Sequence, residues 1–168
     1  MAQAALATAP ACPVGGERSL TQGEIALARS MFGGAIDYTR VKVKRRKFFP
    51  LHPPGVTMAP MGHLHFHPEA GHYCDDFAEA ALHHQAHFIH EMVHVWQAQT
   101  RGRWYLVLLR HPWCRYDYTL KPGLPLEHYG IEQQAEIVRH AFMLRQGADV
   151  AGAPGQDAYE AILPFTPA

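Results

Sequence analysis

The feature that most constrains the fold is a stretch of 24 residues, FAEAALHHQAHFIHEMVHVWQAQT, at positions 77–100. It contains neither proline nor glycine and is followed by Gly102, so we predict one long helix that ends near that glycine. Apolar residues recur there at helical spacing, which predicts a face buried against a core. These residues are Phe88, Ile89, Met92, Val93 and Trp96. A chain of 168 residues is long enough to build one domain around such a helix.

The centre of this predicted helix holds the sequence HEMVH, from His90 to His94. Positions i and i+4 lie on one face of a helix, so both imidazoles can reach a single ion at the ~2.0–2.1 Å typical of zinc–nitrogen bonds. Glu91 lies between them and can take a proton from a metal-bound water, whose pKa zinc lowers from about 15.7 toward ~7. The spacing therefore predicts a hydrolytic site with one Zn²⁺, in which Glu91 is the general base.

A catalytic zinc site normally needs a third protein ligand and keeps one position open. The sequence YGIEQQAEIVRHAFMLRQG, at 129–147, predicts a second helix that carries Glu132 and Glu136 at i and i+4, on one face. One of them can bind the metal, and the other can accept a hydrogen bond from a ligand histidine and hold its tautomer. Glutamates on helices are more often solvated, so a surface position for both is the alternative.

Histidine is unusually frequent, with 13 residues, so other histidines compete for the third position. Five of them lie on predicted elements near the motif: His63, His65 and His67 on a strand, and His83 and His87 on the long helix. His87 lies one turn before the motif and is expected to line the same cleft or to be partly buried in the core. The strand trio alternates, which is typical of the polar face of a half-exposed strand, with a second metal site as the alternative.

Charge balance excludes several classes of partner. Lys plus Arg and Asp plus Glu both number 15, and 48% of the residues are hydrophobic, as in ordinary soluble proteins. We therefore predict neither nucleic acid nor a membrane as partner. The exception is the basic sequence KVKRRKF at 42–48, with five charges in seven residues. We interpret it as a solvated edge strand, whose charges discourage further pairing, in preference to a binding site for phosphate or a polyanion.

The three cysteines, Cys12, Cys74 and Cys114, are far apart and odd in number, which argues against a disulfide framework and against a cysteine zinc knuckle. Synthesis in a reducing cytoplasm is therefore expected. The first 16 residues are mostly small and apolar but lack a basic region and a long apolar core, so the sequence carries no clear signal peptide.

The remaining segments predict an α+β domain at 19–148, after a flexible leader at 1–18 and before a linker and tail at 149–168 that packs back. Thr21 and Glu24 have the spacing of a capping box and predict an N-terminal helix, which a pair of glycines ends.

A small sheet is expected between the N-terminal helix and the long helix. Alternation predicts one strand at 37–48 and a second at 61–67, separated by a proline-rich loop at 49–60. The segment at 103–111 fits either a buried strand or a helical turn. The turn residues KPG at the centre of 115–129 predict a hairpin there.

The chain resembles zincin metallopeptidases of the gluzincin type, whose HExxH helix is followed by a helix with Glu-x-x-x-Asp. Here HEMVH is followed by EQQAE, in which Glu132 matches the zinc-binding acid and Glu136 stands where the family has an aspartate that supports a histidine. The resemblance implies that His90, His94 and Glu132 hold zinc and that Glu136 orients a ligand histidine. Because Glu136 is longer than aspartate, the match at this position is weaker.

More closely, the chain resembles small bacterial zincin-like proteins encoded near Rhs and Vgr secretion genes. The matching sequences are LTQGEIALARSMFGGAIDYTRVKV, HLHFHP, DDF, FIHEMVHVWQ, YDYTL and YGIEQQAEIVRH, which span most of 19–146. This resemblance implies an edge strand along the cleft at MGHLHFHP, a peptide or protein substrate, a Vgr or Rhs spike protein as partner, and export by a specialised secretion system.

Three hypotheses for the function remain open. The first is a zinc metallopeptidase with Glu91 as general base and with Tyr118, Tyr129 or His140 as a donor to the oxyanion. The second is a non-catalytic zinc-binding or adaptor module associated with a bacterial secretion apparatus, for which four protein ligands would be expected to close the site. The third is a zinc hydrolase that acts on a cell-wall peptide or amide bond.

Overall fold

The computed structural model describes residues 11–110 and 113–166. That part of the chain forms an α+β arrangement of one small sheet and five helices. The strands are β1 (Glu17–Ser19), β2 (Lys42–Lys44), β3 (Thr57–Met58) and β4 (Leu64–Phe66). The helices are α1 (Gln22–Phe32), α2 (Leu82–Arg101), α3 (Tyr105–Leu109), α4 (Ile131–Arg145) and α5 (Gln156–Glu160). None of these helices combines the length and apolar character that a membrane span requires.

The long helix α2 is confirmed, but it begins at Leu82 and not at Phe77. The side chain of Asp76 accepts a hydrogen bond from the amide of Ala78 and caps a separate 3₁₀ turn there, so the chain changes direction before α2 starts. The helix ends at Gly102, whose φ of 99° favours glycine. Its predicted apolar face is buried in the core that it shares with residues of the sheet, and α2 packs along α4.

The capping box at the start of α1 is confirmed, and it belongs to a larger buried junction. The Thr21 side chain accepts a hydrogen bond from the Glu24 amide, and the Glu24 carboxylate accepts one from the Thr21 amide, each at 2.9 Å. Arg18 of β1 donates two 2.8 Å hydrogen bonds to the same carboxylate, and the amide of Phe77 donates a further one. Because Glu24 is fully buried, this junction ties β1 and α1 to the turn before α2.

The strand order β1-β2-β4-β3 corrects two predictions. The expectation that 42–48 forms an edge strand is wrong, because β2 pairs antiparallel with β1 and parallel with β4. The predicted leader at 1–18 is too long, because Cys12 is buried and the amide of Gly15 donates to the carbonyl of Arg45. The first ten residues of that leader lie outside the described part of the chain.

The prediction that MGHLHFHP forms the edge strand along the cleft is also wrong. β3 comes from the segment predicted as a proline-rich loop and pairs antiparallel with β4, with Thr57 opposite Phe66 and Met58 opposite His65. β4 is therefore an interior strand, and all three of its residues are buried. His65 and His67 are 8% and 5% exposed, so the expected half-exposed polar face does not form. A two-residue strand such as β3 is too short for sequence periodicity to reveal.

No hairpin forms at 115–129, where the described residues contain no strand. The predicted turn is present, since the amide of Leu124 donates to the carbonyl of Lys121. Its flanks do not pair with each other, and the side chain of Gln133 on α4 donates to the carbonyl of Asp117 instead. The segment before it, for which the sequence allowed either a buried strand or a helical turn, contains the short helix α3. The helical alternative is therefore the correct one.

The tail after residue 149 packs back against the domain. Tyr159 on α5 is 1% exposed, and the ring of Phe165 lies 4.9 Å from that of Phe32 and 5.1 Å from that of Trp96. Aromatic rings at these separations contribute both apolar burial and favourable edge contacts. The tail therefore closes the same core that α1 and α2 build.

Candidate metal centre

Two imidazoles from α2 and one carboxylate from α4 converge in the core. Glu132 lies in the first turn of α4, and its Oε2 is 3.4 Å from Nε2 of His90 and 3.2 Å from Nε2 of His94. The potential ligand atoms of the three residues lie within 4.8 Å of one another. His90 is 6% exposed, His94 is 1% exposed and Glu132 is 0% exposed. The interpretation of Glu132 as a solvated surface residue is therefore wrong.

The second ring nitrogen of each histidine has a partner of its own. Nδ1 of His90 lies 2.8 Å from Oε1 of Glu136, one turn after Glu132 on α4. Nδ1 of His94 lies 2.9 Å from Oε1 of Gln97. An acceptor at Nδ1 holds the ring proton there. The lone pair of Nε2 is then free to bind a metal where the three side chains converge, as a metal-binding histidine requires. Gln97 has no place in the HExxH pattern, although its spacing from His94 puts it on the same helical face.

Glu91 is buried beside this cluster and is 3% exposed. Its Oε1 lies 4.0 Å from Nε2 of His87, and its Oε2 has no hydrogen-bond partner among the described residues. A buried polar atom without a partner costs about 1–3 kcal/mol, so folded proteins rarely keep one unless a ligand or a water satisfies it. The carboxylate of Glu91 therefore offers a free acceptor next to the convergent ligand atoms.

A cation and an aromatic ring cover the cluster from the segment after α3. Nε of Arg110 lies 2.7 Å from Oε1 of Glu132, close enough for an ion pair, although the geometry is not that of a hydrogen bond. The ring of Tyr116 stacks on that of His90, with 6.4 Å between centroids and 15° between planes. Neither residue carries a signal in the sequence, because both reach the cluster only through the path of a loop.

Hydrogen bonds and ion pairs keep the carboxylates of the cluster ionised. Burial alone would raise the pKa of Glu132, but hydrogen bonds to His90 and His94 outweigh it and hold that pKa well below its ordinary value. Burial also opposes ionisation of Glu136, yet the hydrogen bond to His90 lowers the pKa of Glu136 to about 2. Burial lowers the pKa of His90, but hydrogen bonds to Glu132 and Glu136 raise it to about 9. The cluster therefore favours a cation, and a metal would replace the proton on His90.

The donor set fits a zinc ion. Two imidazole nitrogens and one carboxylate oxygen are a set of three ligands found in zinc hydrolases, and the unpartnered oxygen of Glu91 lies beside them. Within the described ranges, no other group of three histidine, cysteine or acidic side chains lies close enough to share an ion. Zinc at this point would be held by His90, His94 and Glu132.

The other histidines predicted near the motif do not join the cluster. Nε2 of His87 lies 2.7 Å from Oγ1 of Thr57, and the same hydroxyl lies 2.8 Å from Nε2 of His72. His87 is therefore partly buried beside Glu91, which agrees with the prediction that it is partly buried in the core. His83 is exposed, and its ring lies against that of the adjacent histidine. The strand trio, His63, His65 and His67, forms no second metal cluster within the described residues.

A groove of about 730 Å³ is lined in part by Glu136 and Tyr116, two residues that contact His90 from outside the ligand set. Two of the predicted oxyanion donors, Tyr118 and His140, line it, and Oη of Tyr118 lies 2.6 Å from Nδ1 of His140. The third, Tyr129, is 8% exposed, and its hydroxyl accepts a hydrogen bond from the amide of Lys121. Tyr129 thus helps to hold the loop before α4, while the Tyr118 hydroxyl is hydrogen-bonded to His140 and, at 2.9 Å, to Tyr159.

Comparison with known proteins links the chain to bacterial secretion. No protein-family model matches it. The chain is 40% identical over 133 residues to the type VI secretion system spike protein VgrG2b of Pseudomonas aeruginosa. That match covers 75% of this chain but 13% of the spike protein, so the chain corresponds to a small part of its relative.

A solved structure, the effector domain of Pseudomonas aeruginosa VgrG2b, has a similar fold, with a TM-score of 0.66 and 34% sequence identity. The match covers 91% of this chain and 82% of that domain. These two matches confirm the predicted link to Vgr secretion proteins, while the zincin-like character stays a prediction. The chain therefore belongs to the family of the VgrG2b effector domain.

Proposed function

We propose that the chain is a zinc-dependent hydrolase, most simply a metallopeptidase, that works in association with a type VI secretion system. The observation that carries the chemistry is the convergence of His90, His94 and Glu132, whose ligand atoms lie within 4.8 Å of one another. The association with secretion rests on the likeness to VgrG2b. The reaction itself is inferred from the side chains of this chain.

Each residue of the cluster has a distinct role in this proposal. His90, His94 and Glu132 would hold zinc, which would supply Lewis acidity toward water and the scissile carbonyl. Glu91 accepts the proton of the attacking water through its unpartnered Oε2 and passes it to the leaving amine. Glu136 accepts the Nδ1 hydrogen of His90 and orients that ring.

The groove beside Glu136 is the proposed place for the substrate. Residues 116–120 and 150–154 contribute most of its lining, and its volume of about 730 Å³ is in the range of small-ligand sites. Tyr118 and His140 line it, and donation from the Tyr118 hydroxyl to an oxyanion would replace its present hydrogen bonds to His140 and Tyr159. A peptide or protein segment is the proposed substrate, and the same chemistry would serve a cell-wall peptide or amide bond.

The likeness to part of a spike protein supports a proposal about the partner. The relative that this chain matches over 13% of its length is a component of the type VI secretion spike. We propose that this chain acts together with such a spike, which would export it to its substrate.

A second candidate is a non-catalytic zinc-binding or adaptor module of the secretion apparatus. The likeness to VgrG2b supports this candidate as well as it supports the enzyme, because it concerns the secretion context alone. The burial of the cluster favours it too, since the three residues are at most 6% exposed and Arg110 pairs with the second oxygen of Glu132. In that case zinc would hold α2 and α4 together without turnover.

The first test measures bound zinc per chain by atomic emission. His90→Ala and Glu132→Ala each remove a ligand and are expected to lose zinc, while His83→Ala, an exposed histidine on the same helix, should keep it. Zinc retained at wild-type level by Glu132→Ala would overturn the ligand set.

The second test separates the enzyme from the binding module. Glu91→Gln is expected to keep zinc and to lose cleavage of a mixed peptide pool by at least about a hundredfold, because it removes the proton acceptor and leaves the ligands intact. If zinc-loaded wild type cleaves neither the peptide pool nor cell-wall peptides, the binding module becomes the better account.

A further inference from the structure

A second groove, of about 470 Å³, lies between the sheet and the C-terminal end of α2. Five of its lining residues are basic: Arg40, Lys44, Arg46, Lys47 and Arg103. The rest of the lining is Phe48, Met61, Gly62, His63, His65 and Gln99. It shares no residue with the candidate metal centre or with the groove beside Glu136. We call it the basic groove.

The positive charge of the basic groove is only partly compensated. Glu17 lies 2.8 Å from Arg46 and 3.9 Å from Lys44, so one carboxylate serves two cations. Within the described ranges, Arg40, Lys47 and Arg103 form no ion pair with a carboxylate. Five cations facing one anion produce a local positive potential, although the chain as a whole is neutral.

A buried histidine in the wall of this groove lacks a partner. His65 is 8% exposed, and its Nδ1 has no hydrogen-bond partner among the described residues. Burial lowers the pKa of His65 to about 4, and the charges of Lys44 and Arg46 contribute to the shift. The ring is therefore neutral at physiological pH, and one tautomer offers Nδ1–H to an acceptor. Nδ1 of His63, also in the wall, is likewise buried without a partner.

We propose that the basic groove binds a phosphate-bearing ligand. A phosphate monoester carries about −1.5 to −2 charges and three strong acceptor oxygens, which matches three unpaired cations and nearby ring donors better than the single charge of a carboxylate does. The planar guanidinium groups of Arg40 and Arg103 suit such oxygens. Phe48 and Met61 give the groove an apolar wall for the remainder of the ligand. The phosphate is carried either by an anionic phospholipid headgroup or by a soluble compound.

The test titrates the full chain with inorganic phosphate, followed by NMR, and with vesicles of phosphatidylcholine that contain phosphatidic acid, whose headgroup is a phosphate monoester. Arg40→Gln/Lys47→Gln removes two exposed cations of the groove. Arg101→Gln/Lys121→Gln removes two exposed cations outside it and is the control matched in charge. We expect the groove variant to weaken phosphate binding by about tenfold or more and the control by less than about twofold, because contact charges outweigh the overall field. The resonances of His63 and His65 should shift on binding.

The outcomes distinguish the source of the phosphate and can reject the site. If vesicles that contain phosphatidic acid bind and the groove variant releases them, the ligand is a lipid headgroup. If inorganic phosphate binds and the vesicles do not, the ligand is soluble. Equal losses in the groove variant and the control, equal affinity for acetate and phosphate, or no binding of either phosphate probe would each overturn the proposal. Zinc content and hydrolysis do not enter these measurements, so this proposal and the proposed function fail separately.

Discussion

Nδ1 of His94 lies 2.9 Å from Oε1 of Gln97, three residues further along α2. The amide nitrogen of Gln97 donates to the carbonyl of Ile131 and to Oε1 of Gln134, both on α4. These two hydrogen bonds turn the oxygen of Gln97 toward the histidine, which must then carry its proton on Nδ1. The contact between α2 and α4 thus determines which nitrogen of His94 is free to face Glu132.

The first prediction concerns this orienting contact. Gln97→Leu removes the acceptor at Nδ1 and should lower zinc affinity by about 10- to 100-fold, because the ring loses its preferred tautomer and orientation. Competition with a chromogenic chelator measures the affinity. Gln99→Leu, which loses hydrogen bonds of its own to Asp37, is the control and should bind zinc like wild type. Equal affinities in Gln97→Leu and Gln99→Leu would refute the orienting role.

The second prediction concerns the residue at which the chain departs from the gluzincin pattern. Oε1 of Glu136 reaches Nδ1 of His90 at 2.8 Å, and the backbone position is set by α4. Glu136→Asp shortens the side chain and should lose this contact, lowering zinc affinity by about tenfold or more, whereas Glu136→Gln keeps an acceptor and should lose less. Glu127→Asp, an exposed change just before α4, is the control. If Glu136→Asp binds zinc as wild type does, the longer side chain has no role there.

The third prediction concerns stability. Glu24→Ala leaves the guanidinium of Arg18 buried without its anion and should lower the free energy of unfolding by about 3–5 kcal/mol. Urea denaturation followed by circular dichroism measures the change. Glu17→Ala breaks an exposed ion pair with Arg46 and should cost less than about 1 kcal/mol. The double change Arg18→Met/Glu24→Met should cost less than Glu24→Ala alone, and a greater loss would contradict the stranded-charge explanation.

The fourth prediction concerns how the stability of the protein depends on pH. The pKa of His65 is lowered from 6.5 to about 4 by burial and by the neighbouring cations, so the unfolded chain binds the proton more readily than the folded one. The contribution of His65 to stability should therefore be complete above about pH 6.5 and fall as the pH drops toward 4, by up to about 3 kcal/mol, less where solvent reaches the ring. Unfolding measured between pH 7 and 4 should be less acid-sensitive in His65→Gln than in wild type.

The control for this pH dependence is His83→Gln, which changes an exposed histidine and should keep the full acid sensitivity. Burial also lowers the pKa values of His63, His72 and His87, so His65→Gln should reduce the slope without abolishing it. An unchanged slope in His65→Gln would contradict the assignment.

Local patterns predicted the parts of the fold that depend on neighbouring residues. The capping box of Thr21 and Glu24, the helical course of α2 and the glycine at its end follow from contacts within a few residues. The same holds for the spacing of His90 and His94 on one helical face and of Glu132 and Glu136 on another. These relationships survive in any fold that keeps the two helices.

The edges of the sheet and the cover of the site depend on residues far apart in the chain. β1 is three residues long and pairs with β2, and β3 is two residues long and pairs with β4. Because backbone hydrogen bonds make these pairings, the side chains of such short strands show no pattern that would predict them. Arg110 and Tyr116 come to Glu132 and His90 by the path of a loop, and Gln97 is oriented by α4. The sequence by itself determined the helices and the spacing of their histidines and glutamates, because helical periodicity is local. Only the tertiary structure decided which strands are interior and which side chains surround the cluster, because those contacts join distant segments.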